Sequence, residues 1–156
     1  MSVRLSCFLL VSVILAVSCR EPEILVPSEF RISLESNGGF TGGGSGYDLF
    51  SDGRLRVWNR ATVSSDRNQW EIEVGAERVR DLARGLLLTP AMGWQSRATG
   101  NITSRLTWAT GDSVRQWTWA WSELPEGAPS ELVAWEKELR TWLRQIRDDT
   151  KRGQER

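Results

Sequence analysis

Chemistry in this chain would have to come from carboxylates, aromatic rings or a cysteine. Histidine is absent, and Cys7 and Cys19 are the only two cysteines. Without histidine there is no Ser-His-Asp triad, no Cys-His pair and almost no zinc site to assemble. Asp48, Asp52, Asp66, Glu71 and Glu73 could supply the two acids that a glycoside hydrolase places on either side of the bond it cleaves. Nothing in their spacing brings two of them together, and turns and solvated strand faces account for all five. The carboxylates show no EF-hand spacing, and neither metal nor cofactor is expected. The run Trp117-Thr118-Trp119-Ala120-Trp121 is the boldest feature of the folded part. On a strand, Trp117, Trp119 and Trp121 would share one face. That face is either core or an exposed aromatic platform for a sugar, a peptide or a protein; burial is the expectation for Trp119. The glycine-rich run from Gly38 to Gly46 invites comparison with a phosphate loop. It lacks the closing Gly-Lys-Ser/Thr and leads into a strand, so no helix N-terminus faces an anion and no nucleotide is expected. Phe40 and Thr41, in otherwise bare backbone, are its candidate binding residues.

Both cysteines lie near the N-terminus. Met1–Ser6 carries one charge, Arg4, and Cys7–Val17 is almost wholly apolar before the polar Arg20-Glu21-Pro22-Glu23. A charged start, a short apolar run and small residues at the break define a secretory signal peptide. The apolar run is too short to span a bilayer, which takes about 20 residues as a helix. Ala16-Val17-Ser18-Cys19 resembles the lipobox of bacterial lipoproteins, with Ala16 at the position that family usually fills with Leu. The resemblance implies that Cys19 is acylated, with palmitate or a similar chain, and begins the mature protein. The protein is then exported and held by lipid on the bacterial cell membrane or outer membrane, its domain in the periplasm or at the cell surface. Two or more acyl chains suffice for stable anchoring, since each buried CH₂ contributes about 0.8 kcal/mol.

Removal of residues 1–18 leaves 138 residues with 19 basic and 20 acidic side chains, enough for one domain. No basic face stands out, so nucleic acid is not an expected partner. The folded part would have no cysteine and therefore no disulfide. Nine tryptophans compensate, because each ring buries about 150–250 Å². The organisation expected is a signal peptide over 1–18, a lipidated tether over 19–29, one domain over 30–147 and a charged tail over 148–156.

The elements that must position these residues follow from periodicity. Phe30–Glu35 alternates as a half-buried strand. Asn37–Gly46 holds six glycines in ten residues and reads as a loop. Tyr47–Phe50 and Arg54–Asn59 flank Ser51-Asp52-Gly53, a hairpin signal of the type I′ kind. Leu49 and Leu55 face inward, with Tyr47 or Phe50 and Val57 or Trp58 beside them. Gln69–Val74 alternates as a further strand. Ala76–Leu88 has the helical spacing Val79, Leu82, Ala83, Leu86 and stops before Pro90. Gly111-Asp112 joins Ile102–Thr110 to Ser113–Ser122 in a second hairpin, whose two apolar faces suggest a central place in the sheet. Ser130 reads as the N-cap of a last helix carrying Leu132, Trp135, Leu139, Trp142 and Ile146, with Arg140, Arg144 and Arg147 near its end. Trp135 and Trp142 should pack on the sheet. The fold class is α+β: an antiparallel sheet of two hairpins plus flanking strands, packed by two helices in two layers.

Gly38-Gly39-Phe40-Thr41-Gly42, Tyr47-Asp48-Leu49 and Asp52-Gly53-Arg54-Leu55, all within residues 30–57, are similar to emfourin-like domains, which inhibit thermolysin-type metalloproteases. They also resemble bacterial lipoproteins with the same strand, glycine run and hairpin. The resemblance implies a small α+β domain without catalysis of its own. The function expected is that of a membrane-anchored, non-enzymatic binding or inhibitory module whose partner is a protein such as a protease. The alternatives are a structural or assembly accessory of the envelope and a carboxylate-based glycoside hydrolase.

Overall fold

A computed structural model describes residues 24–154. The expectations placed on 1–23, including the signal peptide and the acylation of Cys19, lie outside the described residues. The chain folds as an α+β unit in two layers, a six-stranded antiparallel sheet with two helices against one face. The strands are β1 (Arg31–Gly38), β2 (Gly43–Phe50), β3 (Arg54–Arg60), β4 (Asn68–Glu73), β5 (Ile102–Thr110) and β6 (Ser113–Ala120). They lie in the order β4-β3-β2-β1-β5-β6. The helices are α1 (Ala76–Leu88) and α2 (Ser130–Gln154), with a short 3₁₀ turn at Pro90–Gly93.

Alternation sorts the two faces. Ile32 pairs with Leu49 and Trp108, Leu34 with Tyr47 and Leu106, Leu55 with Ile72, and Leu106 with Trp117. These residues form the helix-covered face, where Val79, Leu82 and Leu86 of α1 and Leu132, Leu139 and Leu143 of α2 complete the buried core. The inward partners of Leu49 and Leu55 are therefore Tyr47 and Val57. Phe50 and Trp58 stand on the opposite, open face.

The glycine run is strand for most of its length. Asn37 and Gly38 belong to β1 and Gly43–Gly46 to β2, leaving only Gly39–Gly42 as the turn. Glycine is required there because neighbours occupy the space a side chain would take. A Cβ on Gly46 would stand 2.7 Å from the Trp58 ring, and one on Gly43 would stand 2.5 Å from the Ala61 carbonyl oxygen. The cost of glycine in a strand is offset by letting the Trp58 indole lie flat on the sheet. Arg67 stacks on that ring with its guanidinium carbon 4.3 Å from the centroid, which explains why Trp58 is buried on an otherwise polar face.

Both hairpins form, and the first turn differs from the expected type I′. At the first, only Gly53 has positive φ (94°), and its amide donates to the Phe50 carbonyl at 2.9 Å. That is a type I turn closed by a left-handed glycine. At the second, Gly111 alone is positive, at the first central position, the pattern of a type II′ turn. The second hairpin is not central: β6 is an edge strand, and on the uncovered side Thr107 is buried and Ala109, Thr118 and Ala120 are half-buried.

Three corrections concern α2. Val133 donates the first helical bond to the Pro129 carbonyl, so Pro129 is the cap and Ser130 is the first helical residue. The Ser130 hydroxyl bonds the Glu131 carboxylate instead of a backbone amide, and Glu131 also accepts its own backbone N–H, which holds its carboxyl below the usual range. The helix also runs on to Gln154, through most of the stretch read as a charged tail. Arg140, Arg144 and Arg147 are therefore mid-helix and do not form its last turn. Trp135 and Trp142 turn toward α1, leaving Leu139, Leu143 and Ile146 to meet the sheet. The Trp135 indole donates to the Leu82 carbonyl at 2.8 Å, against Gly85, and Trp142 lies under Arg78.

Candidate functional site: a groove beside strand β4

The tryptophan run does not make a surface platform. Trp117 and Trp119 are fully buried, as expected of a core face. The Trp117 indole donates to the carbonyls of Ala91 and Trp94, both at 3.1 Å, so the 3₁₀ turn is a lid over this end of the sheet. Trp121 leaves the strand with φ 68° and is 60 % exposed, so it does not share their face. Phe40 is fully exposed at the tip of the β1–β2 hairpin, and Thr41 beside it is exposed as well.

The five carboxylates are spread over the open face and its turns. Asp48 accepts from the Ser33 hydroxyl at 2.6 Å. Asp52 accepts from Arg54 at 2.7 Å, and Glu71 accepts from Arg56 and Arg54 at 2.9 and 3.3 Å. Side-chain hydrogen bonds from Arg54 lower the Asp52 pKa, and those from Arg56, with the nearby Arg54 charge, lower that of Glu71. A general acid needs the opposite shift. Arg54 and Arg56 also cover the Phe50 ring at 5.0 and 5.1 Å. The open face is thus a lattice of arginines over two aromatic rings, paired with acids. Among the described residues no group of three or more acidic side chains could hold a metal ion, and no helix is long and apolar enough to cross a membrane.

The concave feature that does stand out is a groove of about 640 Å³ on the helix-covered face, between the last turns of α2 and the β3–β4 end of the sheet. Its walls are Leu55, Val57, Trp70 and Ile72 from the strands and Leu143 and Ile146 from the helix, with Arg147 and Thr150 at the far end. Trp70 is 38 % exposed although it faces the helix layer, because β4 is the edge strand and α2 does not close over it. Glu71 is the one member of the five carboxylates that touches the groove, and its carboxylate is engaged by arginines.

Sequence reasoning did not find this groove. The alternation of Trp70, Ile72 and Val74 marked a strand, but nothing local says that the strand is at an edge or that α2 stops short of covering it. No family model matches the chain, and no curated protein is detectably similar to it in sequence.

Proposed function

We propose that this protein is a non-enzymatic binding module of the bacterial envelope, tethered by acylated Cys19, and that the groove beside β4 is where it receives a protein partner. The observation that carries the reading is the half-open apolar groove, which leaves Trp70 partly exposed on the face that elsewhere is packed shut. Exposed apolar concavities of this size are sites of recognition. The carboxylates argue the same way: hydrolysis would need two of them converging in a cavity, whereas Glu71 only borders the groove from β4 and its carboxylate is ion-paired with Arg54 and Arg56 on the open face.

Two measurements test this. Cells fed a clickable fatty acid should label the wild-type chain and not Cys19→Ala; equal label on both overturns the tether. A photo-crosslinking amino acid placed at Trp70 should trap a discrete partner in those cells, whereas one placed at Asp112, in the remote β5–β6 turn, should not. Identical adduct patterns at the two positions would remove the groove as the site.

A second reading is supported by Phe40, which stands fully exposed at a hairpin tip. Emfourin-like domains, which residues 30–57 resemble, inhibit thermolysin-type metalloproteases, and the exposed Phe40 tip is the contact we propose to test against such an enzyme. Titration of such a protease with the chain should show stoichiometric inhibition weakened at least tenfold by Phe40→Ala; uninhibited protease ends this reading.

A further inference from the structure

An apolar groove alone does not say what fills it, but here its outer wall is a strand with one backbone edge unused. β4 pairs with β3 from Arg54↔Glu73 to Asn59↔Asn68, and among the described residues no strand lies beyond it. It contains neither proline nor lysine, two common means of blocking an edge. A strand added there would continue the sheet and place alternate side chains directly over the groove, beside Trp70 and Ile72. Its remaining side chains would fall on the open face beside Gln69, Glu71 and Glu73. Glu71 already has arginine partners, whereas Glu73 forms no ion pair among the described residues.

From this juxtaposition we infer that β4 is a docking edge for an extended peptide segment of a partner protein, with apolar side chains alternating with basic ones. The inference rests on the groove being a binding site and adds how it binds and what it selects. Main-chain pairing supplies affinity that does not depend on sequence. Trp70 and Ile72 select apolar residues at every second position, and Glu71 and Glu73 select lysine or arginine between them. A second copy of the chain fits less well. Two β4 strands paired antiparallel would set Glu71 and Glu73 of both copies on one face, where like charges directly opposite are destabilising.

The test uses the full chain in phospholipid nanodiscs and a blocked, fluorescein-labelled hexapeptide alternating valine and lysine, read by anisotropy. Saturable binding is expected. It should weaken at least tenfold when the lysines become glutamates, when alternate amides of the pairing edge are N-methylated, and in Trp70→Ala. Glu73→Lys should shift preference toward the glutamate peptide, and the preference should shrink as salt rises. Thermal melts by circular dichroism establish that each variant is folded, and Glu73→Lys alters an exposed side chain, so it keeps the test alive if Trp70→Ala unfolds. Peptides N-methylated on either set of alternate amides that bind as well as the parent overturn the strand pairing while leaving the groove a binding site. No saturable binding by the folded chain overturns the inference, even if crosslinking at position 70 has trapped a partner. A concentration-dependent dimer that the peptide cannot dissociate overturns it in favour of self-pairing.

Discussion

The two edges of this sheet meet the same physical problem and solve it differently. Any edge strand carries unpaired backbone groups that invite another chain. At β6 the protein supplies its own cover: the Thr118 amide donates to the Ser96 carbonyl at 3.0 Å, the Ser96 hydroxyl donates to the Thr118 carbonyl at 2.7 Å, and Arg97 forms a parallel bridge with Thr118. Behind that cover Trp117 is pinned by two carbonyls and wholly buried. At β4 no such segment arrives among the described residues, and the aromatic residue behind the edge, Trp70, is partly exposed. One end of the sheet is finished as core, and the other is left as surface. A fold that closes one edge with a segment of eight or so irregular residues has the means to close both. The open one is where we propose that a partner docks.

The contrast can be broken most forcefully at Trp117. Trp117→Ala should cost about 3–5 kcal/mol, as for a fully buried large aromatic, and bring the domain near unfolding at 37 °C. Urea denaturation reads this, and a loss under about 1 kcal/mol would mean that the sealed edge is no better packed than the open one. Ser96→Ala removes one hydrogen bond of the seal and should cost about 1 kcal/mol. Amide exchange at Thr118 should accelerate, while exchange in β1 and β2 stays slow. Trp70→Ala should cost less than about 1 kcal/mol, since the site is already half solvated, yet it should abolish crosslinking at the groove when the probe is moved to Ile72. A large stability loss there would reclassify Trp70 as core.

The smallest effect is a pH dependence of the lattice beside β4. The carboxyls of Asp52 and Glu71 have pKa values lowered by their arginines. Their contribution is therefore complete above the unfolded carboxylate range of about pH 4 and drains away as pH falls through the lower folded values. Melting temperature should be flat from pH 7 to about pH 5 on this account and fall more steeply below about pH 4. Arg54→Gln should flatten that fall. Both groups are solvent-exposed, so a drop that begins near pH 6 would point to a different group.

Most of the architecture was legible because alternation and helical spacing are local. Ile32, Leu34, Leu55 and Val57 announced their strands, and Val79, Leu82 and Leu86 announced α1. The glycine run misled because its glycines answer to partners far along the chain. Gly46 is small for the sake of Trp58, which the strand's own sequence does not reveal. The placement of Trp121 was equally hidden, since its left-handed backbone depends on where the strand ends. The groove was least legible of all. It exists because α2 and β4 fail to meet, and an absence of contact between distant segments leaves no trace in either one.

β1 joins two parts of the sheet that close loops of very different length. On one side it pairs with β2 through a four-residue turn, and on the other with β5, where Glu35 and Arg105 are 70 residues apart. The first contact closes a short loop; the second must wait until α1 and the 3₁₀ turn have been traversed, at greater entropic cost. The β1–β4 meander is therefore expected to assemble early and the β5–β6 hairpin to arrive last, with β1 as the seam between a fast half and a slow one. Conservative truncations of Leu106 should mainly speed unfolding, and those of Leu55 should mainly slow folding, in a chevron analysis. A chain folding in that order would display its open edge before its sealed one is complete.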